Sequence, residues 1–377
     1  FESNEFMNIL YTNFHPGNGG GHTTYLSYLF NGVLLQDINA FIAVPGVSKL
    51  NKDLKQNHLS KVFDVDFPGK PKEIINIVKN IKKLKNIIIE NQIEIVHVNG
   101  TPDHKVVMLC KWFYKLNFRI IRTKHDSFKI KQDWFANKLY GKYTDQMIVV
   151  SRFQYDHVIT NDLQNKTTVI HNGIDLEYFQ PREKSKNLIK QFNIQDKDIV
   201  FVSVAGTALH KGWQFLVEAA SRLDDELRSR IKIIIVGNSP SNEIVEQYIS
   251  QLDMQDNVIF TGFIDDVREV ISIADIGFVL SIGVETISFA CREMMSMGKP
   301  VLVSDYAGLS ENINNNQDGW VIKKKSTDQA QEFLQKIEKL DLVNFSKLAI
   351  QKAGEKFGLR YFLDKTIELY IRGIKCN

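Results

Sequence analysis

Glu285-Thr-Ile-Ser-Phe-Ala-Cys-Arg-Glu293 follows the apolar run Ile276-Gly-Phe-Val-Leu280 and leads through Met-Met-Ser-Met-Gly298-Lys-Pro300 into Val301-Leu-Val-Ser304. The stretch reads as strand, loop, helix, strand. A helix beginning near Ile287 offers unpaired backbone N–H groups and the positive end of its dipole, a seat for a phosphate. Glu285 precedes that helix and can face a sugar. Glu293 lies inside it and can face a ribose. Two carboxylates around a diphosphate seat suggest a nucleotide-sugar site.

The same alternation extends in both directions. Asn8–Tyr11, Ala40–Val44, Ile93–Val98, Ile120-Ile121 and Met147–Val150 read as short buried strands. Between them Pro71–Glu90 is helical, with Ile74, Val78, Ile81, Leu84 and Ile88 on one face. The pattern restarts with strands at Asp198–Val204, Lys232–Val236, Asn257–Phe260, Ile276–Leu280 and Val301–Val303, and helices at Gly212–Leu223 and Ser241–Leu252. The polar segment Gln180–Asn187 separates the halves. The expected class is α/β: two Rossmann-like domains, each a parallel sheet covered by helices, facing a cleft. The expected boundaries are 7–179, 180–360 and 361–377. The last segment is a helix with a Phe362/Ile367/Tyr370 stripe that crosses back to the first domain.

Composition narrows the function. Of 377 residues, 44% are hydrophobic and 24% charged, as in globular proteins, and a net charge of +3 does not call for nucleic acid. Three scattered cysteines, Cys110, Cys291 and Cys376, fit a reducing compartment without disulfides or structural zinc. No apolar run reaches the roughly 18 residues of a membrane span, and no signal peptide is recognised. Phe1–Phe6 reads as an added leader, with Met7 the expected natural start.

Further motifs sit where strands end. Gly17-Asn-Gly19-Gly20-Gly21-His22 follows the first strand, and its glycines let the backbone approach a phosphate or sugar. A dinucleotide fingerprint needs glycine where His22 stands and an acid where Val44-Pro-Gly46 closes the second strand, so NAD is disfavoured. In the second half Gly206, His210 and Lys211 form a strand-to-helix turn, placing a cation to neutralise a leaving diphosphate. His125, in Arg122-Thr-Lys-His125-Asp126, can bind a sugar or an acceptor hydroxyl, whereas His97 reads as structural. Asn172-Gly173-Ile-Asp175 reads as a turn capped by Asp175. Lys70, Lys72, Lys79, Lys82, Lys83 and Lys85, with a second basic and aromatic stretch from Lys124 to Lys142, can face an anionic membrane or simply be solvated. Asp64-Val-Asp66 is assigned no metal.

With these residues the chain resembles the retaining GT-B glycosyltransferases of family 4, over nearly its whole length from Met7. Glu285 to Glu293 matches the family's E-x7-E signature. Gly298-Lys-Pro300, Gly19–Gly21, Asn172–Asp175, Lys211-Gly212, Gly308-Leu-Ser-Glu311 and Asp318-Gly319 support it. The resemblance implies that Glu285 contacts the donor sugar and Glu293 the ribose. It implies that Lys211 and amides around Ile287, Ser288 and Phe289 hold the diphosphate, and that His125 lies near the reacting centre. The arginine that many members carry before the lysine is absent; Thr207–His210 stands there. Arg122–His125 and His97–Thr101 look most like members that build lipopolysaccharide core or O-antigen.

The expected activity is transfer of a hexose-type sugar from a nucleoside diphosphate, UDP favoured, to a bacterial glycan acceptor, lipid-linked or otherwise. No metal or cofactor is required. The expected location is the cytoplasm, with possible peripheral contact at the inner face of the inner membrane. A nucleotide-sugar epimerase of the same architecture and a non-catalytic sugar-nucleotide-binding protein remain open on the residues.

Overall fold

The computed structural model describes residues 7–17, 20–36, 38–69, 73–238 and 243–372. Phe1–Phe6, Gly19, Lys70, Lys72 and Cys376 lie outside the described residues.

The chain divides into two compact units. The first holds a seven-stranded parallel sheet. Its strands are β1 (Asn8–Thr12), β2 (Asn39–Val44), β3 (Val62–Asp64), β4 (Ile95–Val98), β5 (Arg119–Lys124), β6 (Gln146–Val149) and β7 (Thr167–Val169), in the order β3-β2-β1-β4-β5-β6-β7. The second holds a six-stranded parallel sheet of β8 (Ile199–Ser203), β9 (Ile231–Ile235), β10 (Val258–Phe260), β11 (Ile276–Val279), β12 (Val301–Ser304) and β13 (Gly319–Ile322), in the order β10-β9-β8-β11-β12-β13. Central strands such as Ile9–Tyr11 and Ile233–Ile235 are buried on both faces, which is why they read as continuous apolar runs. Each sheet reverses its strand order once, between β1 and β4 and between β8 and β11. Ligands of open α/β sheets sit beyond the carboxyl ends of such strands.

The first unit runs to Gly173 and takes in the helix Leu359–Arg372; the second spans Ile174–Gly358. The division therefore falls inside Asn172-Gly173-Ile174-Asp175, ahead of the polar segment at 180–187. Ile174 and Phe179 explain the shift, because both are buried in the second unit's core and the Ile174 N–H donates to the Phe357 carbonyl at 2.8 Å. Asp175 Oδ1 accepts from the Glu177 and Tyr178 amides. In the terminal helix Phe362, Ile367 and Tyr370 are all buried, and Tyr25 and Phe362 stack edge-on at 5.2 Å.

The helix expected at 71–90 is observed over Ile74–Glu90, but its apolar stripe is split. Leu84, Ile87 and Ile88 join the core, whereas Ile74 and Val78 are exposed. Only the half from Ile81 onward overlies the sheet's core. Strands β3, β7 and β13 lacked a readable run because each is an edge strand of only three or four residues. Asp64, on edge strand β3, is held by Lys55 and the Asn51 amide.

Candidate active site

In the second unit, both strands at the point of order reversal deliver a charged side chain. After β8 the turn through Gly206 and His210 carries Lys211. After β11 the loop carries Glu285. Lys211 Nζ meets Glu285 Oε2 at 3.0 Å, with the two side chains 19% and 13% exposed. Ser281 Oγ lies 3.5 Å from the same carboxylate oxygen.

The two loops are fastened together by backbone. Ile282 N–H donates to the His210 carbonyl at 2.8 Å. Gly212 has φ +76°, and a Cβ there would lie 1.9 Å from the Leu280 carbonyl oxygen, so the turn can sit this close to β11 only with glycine. Trp213, buried in the core, donates its indole N–H to the Thr207 carbonyl at 2.8 Å and sets the other side of the turn. His210 titrates below its usual range through desolvation and the neighbouring Lys211 charge. Gly206, at φ +94°, has open space where a side chain would stand.

The Glu285 loop is strained and braced. Val284 and Ser288 both have positive φ, +49° and +63°, which is costly for a β-branched valine. Gly308 N–H donates to the Thr286 carbonyl, and the buried Asn312 amide donates to the Ile287 carbonyl. Asn312 Oδ1 in turn accepts from buried Arg292, whose guanidinium lies over the Phe357 ring at 4.4 Å.

The helix expected from Ile287 starts two residues later, at Phe289, and runs to Ser296. Ile287 is 2% exposed, so its side chain is core and only its backbone faces the loop. Ser288 is the N-cap, its Oγ accepting from the Cys291 amide at 3.3 Å. The Phe289 and Ala290 amides, beyond the reach of any helical carbonyl, remain as donors at the positive end of the dipole. Glu293, half-buried in the second turn, has its carboxyl pushed up to about 7 by desolvation.

In the first unit the carboxyl ends of β1, β4 and β5 gather histidines. His125 Nε2 is 2.9 Å from Asn99 Oδ1. Its ring lies 4.3 Å from His22 and 4.6 Å from Tyr25, and His22 lies 4.9 Å from His15. Burial holds His125 well below its usual range, helped by the neighbouring His22 and buried Arg122, and puts His22 at about 4. The cluster is therefore neutral near pH 7. Gly20, at φ +111°, precedes the helix Gly21–Leu34 that carries His22. His97 is structural, bonded to Tyr370 at 2.6 Å and Thr123 at 2.7 Å inside the core.

Several contributors escaped the sequence reading. Asn312 and Arg292 act through bonds that span 20 to 25 residues and leave no local pattern, and Ser281 meets Glu285 within the one loop after β11. His15 and His22 carried one available signal, since both flank the glycine loop after β1.

A family profile described as Glycosyltransferase Family 4 matches residues 19–178, and one described as Glycosyl transferases group 1 matches residues 184–356. An Escherichia coli relative named UDP-Gal:alpha-D-GlcNAc-diphosphoundecaprenol alpha-1,3-galactosyltransferase is 24% identical over 80% of this chain and 79% of its own. A glycosyltransferase of Rickettsia africae ESF-5 superposes with a TM-score of 0.84 at 20% identity, over 99% of this chain and 100% of the other. Anabaena Alr3699/HepE, solved in complex with UDP, gives 0.80 at 17% identity over 97% and 100%.

Proposed function

Because the chain belongs to the family 4 glycosyltransferases, with the two Rossmann-like units of the GT-B fold, it is a glycosyltransferase, and we propose that it is a retaining one that moves a sugar from a UDP-type donor to a hydroxyl of a lipid-linked bacterial surface glycan without a metal ion. The observation that carries this reading is the Lys211–Glu285 pair at 3.0 Å, at the carboxyl ends of the two strands where the second sheet reverses.

In this reading the donor diphosphate takes Glu285's place beside Lys211 and accepts from the Phe289 and Ala290 amides. Glu285 is freed to orient the sugar, and Glu293 accepts from the ribose hydroxyls. The glycosidic bond to phosphate breaks as the acceptor oxygen attacks the same face, and the leaving diphosphate takes the acceptor's proton. Lys211 and the helix N–H groups stabilise the charge that develops on that diphosphate. His125, neutral at working pH, is assigned a hydrogen bond to the sugar or acceptor hydroxyl. The UDP in the Anabaena structure and the diphosphate-linked acceptor in the name of the E. coli relative support the donor and acceptor classes. Exposed Ile74, Ile75, Val78, Trp112 and Phe113 beside Lys79, Lys82 and Lys83 support contact with an anionic membrane at its cytoplasmic face.

The test is a thermal-shift panel of UDP, GDP, ADP and CMP sugars with and without EDTA, followed by transfer to a diphosphate-linked sugar and NMR assignment of the new anomer. A donor at 100 times its dissociation constant adds about 2.7 kcal/mol. A UDP-sugar shift that survives EDTA, with the donor's anomeric configuration kept in the product, is expected. An inverted product or an EDTA-sensitive reaction overturns the mechanism.

A further inference from the structure

A cavity of about 390 Å³ opens in the first unit beside His125, outside the histidine cluster. The residues on either side of that histidine, Lys124 and Asp126, both line it. Its wall is of two kinds. Lys105, Lys129 and Lys131 supply three cations beyond the Lys124–Asp126 ion pair, and Phe128, Ile130, Phe135 and Leu139 supply an apolar surface. The aspartates among them are engaged internally. Asp126 Oδ1 accepts from Lys124 Nζ at 2.5 Å and from the Phe128 amide at 3.0 Å, and Asp133 Oδ1 accepts from the Ala136 amide at 2.8 Å. No such carboxylate holds the exposed Lys129 and Lys131 among the described residues, and Lys105 rests over the Phe135 ring at 5.5 Å.

We propose that this cavity binds a phosphate or diphosphate ester carried on an apolar chain, the anchoring end of a lipid-linked acceptor. Lysines on two segments, the helix of Lys105 and the loop of Lys129 and Lys131, converge on a single concave space, which suits a compact multivalent anion. Phe128 is 74% exposed, an unusual state for a phenylalanine, and it lies in the same wall as Ile130 and Phe135. An ester of this kind satisfies both halves of the wall at once. A free sugar uses neither the surplus charge nor the apolar surface, and a free anion uses only the first. The assignment rests on the glycosyltransferase reading for its role, since it places the acceptor's anchor next to His125.

The test uses calorimetric titration of the whole chain, saturated with UDP, with two soluble probes: farnesyl diphosphate and inorganic diphosphate. Saturation with UDP keeps diphosphate out of the donor site. Farnesyl diphosphate is expected to bind about tenfold or more tightly than inorganic diphosphate. Lys129→Ala with Lys131→Ala, both at exposed positions, is expected to weaken both probes by about tenfold in a salt-dependent manner. Phe128→Ala is expected to remove the preference for the prenyl probe and leave inorganic diphosphate unchanged. Absence of binding by either probe, binding that the lysine changes do not alter, or equal affinity for the two probes overturns the proposal, the last by showing a site for a free anion. UDP binding is read in the same experiment. Failure of the donor reading therefore appears as loss of the UDP response, and the prenyl probe is then titrated without UDP.

Discussion

Lys211 and Glu285 neutralise one another in a partly buried setting, and each needs a partner there. Lys211→Ala leaves the Glu285 carboxylate, 13% exposed, without its cation, and removes the lysine proposed to hold the diphosphate. The expected result is a fall in kcat of about 10²–10³. A stability loss of about 1–3 kcal/mol should accompany it, measured by urea unfolding. Glu293 behaves in the opposite sense. Its folded pKa of about 7 lies above the usual carboxylate value, so the folded state binds the extra proton. Stability from this group is present at low pH and lost as pH rises from about 4.5 to 7. Glu293→Gln should therefore be the more stable protein at pH 8, by about 1–3 kcal/mol. Ribose hydroxyls donate best to the ionised carboxylate, so UDP affinity of the native protein should rise between pH 6 and 8, with proton release in calorimetry. A Glu293→Gln variant with the same pH slope would remove the ribose assignment.

At the scale of elements, the site is a matter of how two strand ends are joined. Gly212 sits so close to Leu280 that any Cβ displaces the Lys211 turn from β11. Gly212→Ala is expected to lose about 2–4 kcal/mol from the clash and positive φ together, and to weaken UDP binding with it. If UDP affinity survives while stability falls, the turn does not position the donor lysine. The helix Phe289–Ser296 shows the complementary case. The sequence places its start near Ile287, and the observed start is Phe289 because Asn312 holds the Ile287 carbonyl in the loop. That bond spans 25 residues and has no trace in the local pattern.

At the scale of the whole molecule, the two units should respond differently to pH. The first unit buries His22, His97, His104 and His125 in neutral form, each titrating below its usual range through desolvation. Groups of this kind stabilise the fold above their unfolded pKa and withdraw that stability as pH falls below about 6.5. Asp103, raised to about 6, opposes them only in part. Unfolding followed at pH 5 should therefore show the first unit weakened and the second, through Glu293, spared. The terminal helix belongs to the same ledger. Tyr370→Phe takes away the hydroxyl 2.6 Å from His97 Nδ1 and leaves that buried nitrogen unsatisfied. A loss of about 1–3 kcal/mol in the first unit is expected, with UDP binding by the second unchanged.

The fold class was legible because parallel strands buried on both faces must be apolar runs, and the helices between them must repeat at 3.6 residues. Glu285, Glu293 and Lys211 could be singled out in the sequence because each sits at a set spacing along one strand–loop–helix unit or on one turn. The residues that hold those groups in place were not. Asn312, Gly212's contact with Leu280, and the rings of His15 and His22 around His125 depend on segments far apart in the chain. Tertiary packing alone decided which of these side chains meet, because a contact between distant loops imposes no period and no spacing on the sequence that makes it.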